Sequence, residues 1–380
     1  MSERRIPYGR QSIDESDLEA VREVLLSDFL TTGPAIDRFE QALREVTGAS
    51  EAVVVNSGTA ALHAMYFAAG IGAGDEIVTS PLTFAATANA ALYLGATVRF
   101  ADVASDTGNL DPAAASAAAS DRTRALVAVD YAGHPADYDA LAGAAKKHDA
   151  VLLADSAHAL GATYHGRPIG TLAHASALSF HPVKHITTGE GGAIVTSDAD
   201  LAARARRFRT HGVERNAALA DAYGRWFYEQ VDLGYNYRLT DIQAALGQSQ
   251  VSRLGTFLQR RRAIATHYQE ALSDIAELEL PTVRHGVEHA WHLYVVRVRD
   301  ARRRRPFFDR LQELGLGVQV HYIPVYCHPY YRELGYRPGL CPIAEDFYAR
   351  AVSLPIFAGL DDTDLDSSIE RVRRAAREVL

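Results

Sequence analysis

The chain has 380 residues, 48% hydrophobic and 23% charged, the balance of an ordinary soluble protein and enough length for two units. Its formal net charge of -8 gives no bulk attraction to nucleic acid or to an anionic membrane. Two cysteines, Cys327 and Cys341, exclude a disulfide framework and a Cys-rich metal site, and are read as free thiols in a reducing, cytoplasmic setting.

The start, MSERRIPYGRQSIDESD, carries charges but no apolar core, so no secretory signal is expected there. No apolar run is long enough to span a bilayer. Residues 14–27 predict an amphipathic helix with Leu18, Val21, Val24 and Leu25 on one face. A Thr-Thr-Gly-Pro turn at 31–34 leads to a second helix over 35–47. Strands and helices then alternate. Strands are predicted at 51–55, 76–80, 97–103, 124–130, 150–155, 177–180 and 192–197, with helices at 59–70, 84–95 and 137–148. These strands are apolar on both faces, as in a mostly parallel sheet covered by helices on each side. The Ala-rich stretch 113–120 reads as a plain surface helix or loop.

Helices dominate after residue 198, at 199–209, 238–252 and 254–274. HAWHLYVVRV (289–298), a helix near 303–314, VQVHY (318–322) and late helices at 343–351 and 361–378 predict a small α+β unit. The expected division is a large α/β unit over 1–250 and a smaller one over 251–380.

Three motifs carry chemistry. Asn56-Ser57-Gly58-Thr59 sits between a strand and a helix, where free backbone N–H groups, hydroxyls and a glycine admit a phosphate. A serine there is also a common cap with no ligand. Asp155 ends an apolar strand and so faces the crevice where open α/β sheets bind ligands, although it also suits a helix cap. Lys184, in SFHPVKHITTGEGG (179–192), follows a strand and precedes a Gly-rich turn. Most lysines are solvated charges, but a partly buried one has a lowered pKa and acts as a nucleophile that forms a Schiff base. Together these residues suit pyridoxal phosphate, which needs a phosphate cradle, a carboxylate at its ring nitrogen and a lysine at its aldehyde. Phe84 is placed to stack on the ring, or serves as a core aromatic.

FLTTGP (29–34), NSGTAAL (56–62), PLTFAATANA (81–90), DSAHALGA (155–162), SFHPVKHITTGEGG (179–192) and GYNYRLTDIQAALG (234–247) resemble the DegT/DnrJ/EryC1/StrS sugar aminotransferases, of fold type I. The resemblance runs from about residue 6 to the C-terminus. It implies that Lys184 carries the cofactor and moves the proton, and that Asp155 pairs with the pyridine nitrogen. His158, where many relatives have Gln, is implied beside the ring hydroxyl. Ser57, Gly58, Thr59 and Ser179 are implied at the phosphate, and Asn236 at the phosphate of a neighbouring subunit, giving a homodimer with shared active sites. His185 adjoins Lys184, and dehydratases of this superfamily have histidine in place of the lysine itself. The lysine is present here, so transamination is expected.

VDYAGHP (129–135), VQVHYIPVY (318–326), EDFYARAVSLPIF (345–357) and IPYGRQ (6–11) further resemble the subgroup that forms UDP-4-amino-4,6-dideoxy-N-acetyl-β-L-altrosamine for pseudaminic acid. That resemblance implies a UDP-linked 4-keto-6-deoxy-N-acetyl sugar as acceptor and L-glutamate as donor, leaving 2-oxoglutarate. It puts Tyr8, Asp28, Phe29, Leu30, Thr31, Gln319, Val320, His321 and Tyr322 at the nucleotide sugar. Another nucleotide-sugar 3- or 4-aminotransferase, and a regulatory protein that holds the cofactor without turnover, stay open. The Arg302–Arg305 run reads as a solvated helix start rather than a diphosphate site. None of the 15 histidines has metal-ligand spacing, so no metal is expected.

Overall fold

Seven apolar segments pair into one sheet in the computed structural model, which describes residues 4–380; residues 1–3 of the amino-terminal stretch and of the expected large unit lie outside that description. Two helices precede the sheet, α1 (Glu15–Leu25) and α2 (Pro34–Thr47). The strands are β1 (Glu51–Val55), β2 (Glu76–Thr79), β3 (Thr97–Phe100), β4 (Thr123–Val129), β5 (Val151–Asp155), β6 (Ala175–Ser179) and β7 (Gly192–Thr196). Their spatial order is β1-β7-β6-β5-β4-β2-β3. β7 is antiparallel to both neighbours and every other pair is parallel, so β7 alone runs against the rest.

Parallel neighbours need crossovers, and helices supply them. α3 (Gly58–Ala68), α4 (Ala86–Tyr93), α5 (Pro112–Ala118) and α6 (Tyr138–Lys147) join successive strands. The Ala-rich stretch therefore forms a helix. α7 (Ala199–Phe208), α8 (Ala217–Tyr223) and α9 (Asp241–Ser252) follow the sheet. Successive strand residues point to opposite faces. Val53 and Val55 enter one core with residues of α3, α4 and α7, and Ala52 and Val54 enter the other with residues of α2, α6 and α9. Both faces are covered along the centre of the sheet, which explains why its inner strands are mostly apolar, whereas the edge strand β3 alternates, with Thr97 and Arg99 exposed.

The chain then turns to a second, smaller sheet. α10 (Leu254–Leu272) leads to β8 (Leu278–Glu279), β9 (Tyr294–Val298), α11 (Ala301–Glu313), α12 (Pro329–Glu333), α13 (Pro342–Arg350), β10 (Ala351–Leu354) and α14 (Asp362–Val379). The order β8-β9-β10 is antiparallel throughout. A third core joins Val296, Val352 and Leu354 of this sheet to Ile264, Phe307 and Val372 of the helices. The expected division at 250/251 falls in the last turn of α9, just before α10. Ile6 belongs to this third core, and Gly317 donates its N–H to the Ile6 carbonyl at 2.7 Å. The amino-terminal segment is thus tied to the carboxyl-terminal part of the chain.

Three local expectations change. Residues 289–293 do not join a ladder: Ala290 and Leu293 donate to the carbonyls of Gly133 and Ala132, and Trp291 is left-handed with φ 51°. Within 318–322 only Gln319 pairs, as a single bridge to Ser353. The late helix ends at Arg350, and Ala351–Leu354 forms the edge strand β10. The Arg run opens α11 behind the Asp300 cap, with Arg302, Arg303 and Arg305 exposed. Among the described residues no helix is long and apolar enough to cross a membrane, and no His/Cys/Asp/Glu group is arranged to hold a metal ion.

Candidate active site

Three segments meet at the carboxyl ends of the parallel strands, where open α/β sheets leave a crevice. The first is the start of α3. Ser57 is its N-cap, and Oγ accepts from the N–H of Ala60 at 3.1 Å. The N–H groups of Gly58 and Thr59 then have no acceptor within the helix and lie at its positive end. The second segment is the end of β6. A Cβ on Gly58 would stand 2.9 Å from Cβ of Ser179, so this approach needs a glycine. The third is the start of β7, where a Cβ on Gly192 would come 2.5 Å from the Ser57 carbonyl oxygen.

Lys184 lies on the connection from β6 to β7. Phe180 donates its N–H to the Gly191 carbonyl at 2.9 Å, and Thr188 donates to Phe180 O at 3.0 Å, closing the connection at its base. The lysine is half-buried and faces a cavity of about 450 Å³. Burial pulls its pKa down to about 8, with the Asp155 charge opposing that shift and the Arg261 charge adding to it. A substantial neutral fraction is thereby available near physiological pH.

Asp155 ends β5 and is buried. Thr87 of α4 donates its hydroxyl to Oδ2 at 2.6 Å, and Ala157 donates its N–H to Oδ1 at 3.2 Å. Burial still pushes this carboxyl above its ordinary range, against those two bonds and the Lys184 charge. A cationic ring N–H beside it would relieve that cost.

The cavity brings together Ser57, Gly58, Thr59, Asp155, Ser179 and Lys184. Tyr8, Phe84, His158, His321 and Tyr322 also line it. Phe84 is 64% exposed, with its ring 6.4 Å from that of Tyr322. His158 is buried, paired through Nε2 with the Tyr322 hydroxyl at 3.1 Å, and its Nδ1 has no partner. Gln319 and Val320 line an adjoining groove with Tyr93, Tyr330 and Tyr331, so part of the Tyr-rich run borders the site. Asp28, Phe29, Leu30 and Thr31 are exposed and do not line the cavity; Thr31 instead bridges Thr240 at the start of α9. Asn236 is also outside it, bridged to Thr210, with its carbonyl accepting from Asn56 Nδ2 at 3.4 Å. His185 packs behind Lys184, its Nε2 3.0 Å from the Ala290 carbonyl.

Sequence reasoning did not single out Thr87, Arg261 or His292. A threonine inside the Ala-rich α4 was the one available signal for Thr87. Arg261 is buried in α10 and donates through Nη1 to the carbonyls of Ile356 at 2.9 Å and Trp291 at 3.0 Å. Its partners lie far along the chain, so no local pattern points to it.

Pyridoxal phosphate fits this donor set. The helix start and Ser179 form a cradle that a Cβ on Gly58 would fill, Asp155 supplies a buried carboxylate, and Lys184 supplies an amine of lowered pKa. Residues 11–373 match the DegT/DnrJ/EryC1/StrS aminotransferase family, and the chain belongs to it. It is 41% identical to the spore coat polysaccharide biosynthesis protein SpsC of Bacillus subtilis, over 97% of this chain and 96% of that one. Among solved structures it is similar to Helicobacter pylori PseC, an aminotransferase involved in the biosynthesis of pseudoaminic acid. The TM-score is 0.93 and the identity 34%, over 99% of this chain and 100% of that one. It is likewise similar to Spr1654 of Streptococcus pneumoniae in its PLP form, with TM-score 0.93 and 30% identity over 99% and 100% of the two chains. The mostly parallel sheet with covering helices is the fold of these aminotransferase structures.

Proposed function

We propose that this chain is a pyridoxal-phosphate-dependent aminotransferase that moves the amino group of L-glutamate to C4 of a UDP-linked 4-keto-6-deoxy-N-acetylhexose. The products are 2-oxoglutarate and UDP-4-amino-4,6-dideoxy-N-acetyl-β-L-altrosamine, for pseudaminic acid biosynthesis. The meeting of Lys184, Asp155 and the α3 N-terminus in one cavity carries the reaction class. Bound there, the cofactor supplies an electron sink that acidifies the carbon next to the transferred nitrogen.

Lys184 takes the proton from the α-carbon of glutamate and later returns one to C4 of the sugar. Asp155 holds the cofactor's ring nitrogen protonated. Ser57, Gly58, Thr59 and Ser179 would hold its phosphate, Phe84 would lie against its ring, and His158 would lie beside its hydroxyl. Asn236, outside its own chain's cavity, serves the site of a second copy, which makes a homodimer with shared active sites. Tyr8, Gln319, Val320, His321 and Tyr322 would bind the nucleotide sugar, and so would Asp28, Phe29, Leu30 and Thr31, which like Asn236 lie outside their own chain's cavity. Both substrates are metabolites of the cytoplasm, where this reading puts the enzyme.

The likeness to PseC, an aminotransferase involved in the biosynthesis of pseudoaminic acid, favours this pathway. The 41% identity with SpsC favours a second reading, another nucleotide-sugar aminotransferase acting toward a surface polysaccharide. Mass spectrometry of products from UDP-, dTDP- and GDP-linked keto sugars with glutamate separates them. Amination of the UDP-4-keto-6-deoxy-N-acetyl sugar is expected. Amination of only a dTDP or GDP sugar refutes the first reading, and a visible cofactor band that ignores glutamate refutes both.

A further inference from the structure

Lys184 stands between charges of opposite sign. Asp155 shares the large cavity with it, and Arg261 shares with it a second, smaller space of about 10 Å³ that Asp155 does not reach. Arg261 comes from α10, at the head of the second part of the chain, and is 2% exposed. Its Nη1 donates to the carbonyls of Ile356 at 2.9 Å, Trp291 at 3.0 Å and His292 at 3.4 Å, so neutral oxygens fix the guanidinium. Among the described residues no carboxylate opposes it, and its buried Nε has no acceptor. A guanidinium keeps its proton even there, so the charge persists. Burying a charge without a counter-charge is costly, and a neutral side chain could donate to the same carbonyls.

The chemistry gives that charge a use. Lys184 must be uncharged to attack an aldehyde, whereas an ionised Asp155 favours the ammonium form. A second cation opposes the ammonium form, and a space this small admits about one water, so little solvent screens the interaction. Burial lowers the Lys184 pKa most, Asp155 works against that shift and Arg261 adds to it. His158, His185, His292 and His321 also feel Lys184, yet burial keeps them neutral at physiological pH. Arg10, which borders the small space too, is exposed, so water and salt screen its charge.

We propose that Arg261 is a positioning residue for the transfer: its buried, unopposed charge behind Lys184 keeps that amine uncharged while Asp155 in front of it stays ionised. The need for an uncharged amine rests on the aminotransferase reading above; the charge state of Lys184 in the free protein is a property of the chain alone.

The test is competitive amine labelling of the full-length, cofactor-free protein against pH, read by mass spectrometry, with Lys146 and Lys147 as internal references. Wild type should give Lys184 a midpoint near pH 8. Arg261→Gln keeps a donor for the carbonyls and removes the charge, so the midpoint should rise by about one pH unit. Arg261→Lys keeps the charge and loses the planar fork, so the midpoint should stay with that of wild type. An unmoved midpoint in Arg261→Gln, or an equal rise in both variants, overturns the proposal, because Arg261 would then act through its hydrogen bonds alone. Where Arg261→Gln does not fold, Arg261→Lys decides: a midpoint near that of wild type supports the proposal, and one level with Lys146 and Lys147 overturns it. Pyridoxal phosphate should attach to Arg261→Gln about tenfold more slowly than to wild type at neutral pH, following the loss of neutral amine. Wild type that attaches no pyridoxal phosphate refutes the functional reading and leaves the labelling result standing.

Discussion

The Thr87 hydroxyl donates to Oδ2 of Asp155 at 2.6 Å, so α4 holds the carboxylate that ends β5. This bond orients a buried acid whose other oxygen meets only the Ala157 N–H at 3.2 Å. Thr87→Val keeps the shape and removes the donor. A buried acceptor left unpaired costs about 1–3 kcal/mol, so the denaturation midpoint should fall. A midpoint equal to wild type counts against this role for the bond.

The same acid sets a pH dependence in the cofactor-free protein. Its folded pKa lies above the ordinary 3.8, so the folded state binds the proton more tightly than the unfolded state. The contribution of Asp155 to stability is therefore greatest at low pH and declines as pH rises through that window. Asp155→Asn should flatten this decline in unfolding measured against pH.

Lys184 shows the opposite sign. Its pKa of about 8 lies below the ordinary 10.5, so between those values the folded state binds fewer protons, and stability gains as pH rises through them. Competitive labelling with an amine reagent, read by mass spectrometry, should give Lys184 a half-maximal reactivity near pH 8. A midpoint shared with Lys146 and Lys147, the other two lysines of the chain, would contradict the burial argument.

Lys184→Ala should lose amination by several orders of magnitude, because no other lysine lines the cavity. Borohydride should fix cofactor to wild type at this residue and leave the variant unlabelled. Turnover retained in the variant would remove the basis of the proposed chemistry.

Gly58→Ala sets a carbon 2.9 Å from Cβ of Ser179. Overpacking of this kind costs about 1–3 kcal/mol, so cofactor affinity should drop by roughly tenfold. Equilibrium dialysis against pyridoxal phosphate measures it. An affinity equal to wild type would mean that the helix start is not the phosphate cradle.

The central sheet was legible because its inner strands are apolar on both faces, its edge strand β3 alternates, and all are separated by helical periods over short distances. The Ser57, Asp155 and Lys184 motifs were legible for the same reason: each sits at a strand end, where the topology leaves a crevice. The edge strand β10 was not, because the strand it pairs with in the sheet, β9, lies more than 50 residues earlier and its four residues continue the pattern of α13. Residues 289–293 read as strand because they are apolar and aromatic, yet their hydrogen bonds go to the 132–133 turn. Asp28–Thr31 and Asn236 carry no local signal of where they act. Spacing along one chain does not reveal whether a residue serves its own cavity or that of another copy.

The lone reversed strand has an engineering corollary. Because β7 folds back against β6, the segment bearing Lys184 is pinned between two neighbours in the same sheet. The rim at 319–323 has one backbone bridge, Gln319 to Ser353, and is held further by Tyr131 donating to the His321 carbonyl, by His321 Nδ1 against the Ser353 hydroxyl at 2.8 Å and by the Tyr322 hydroxyl against His158. Redesign of sugar preference can therefore be confined to the Val320 and Ile323 side chains of that rim, which line the adjoining groove, leaving His321, Tyr322 and the anchor of the chemistry untouched.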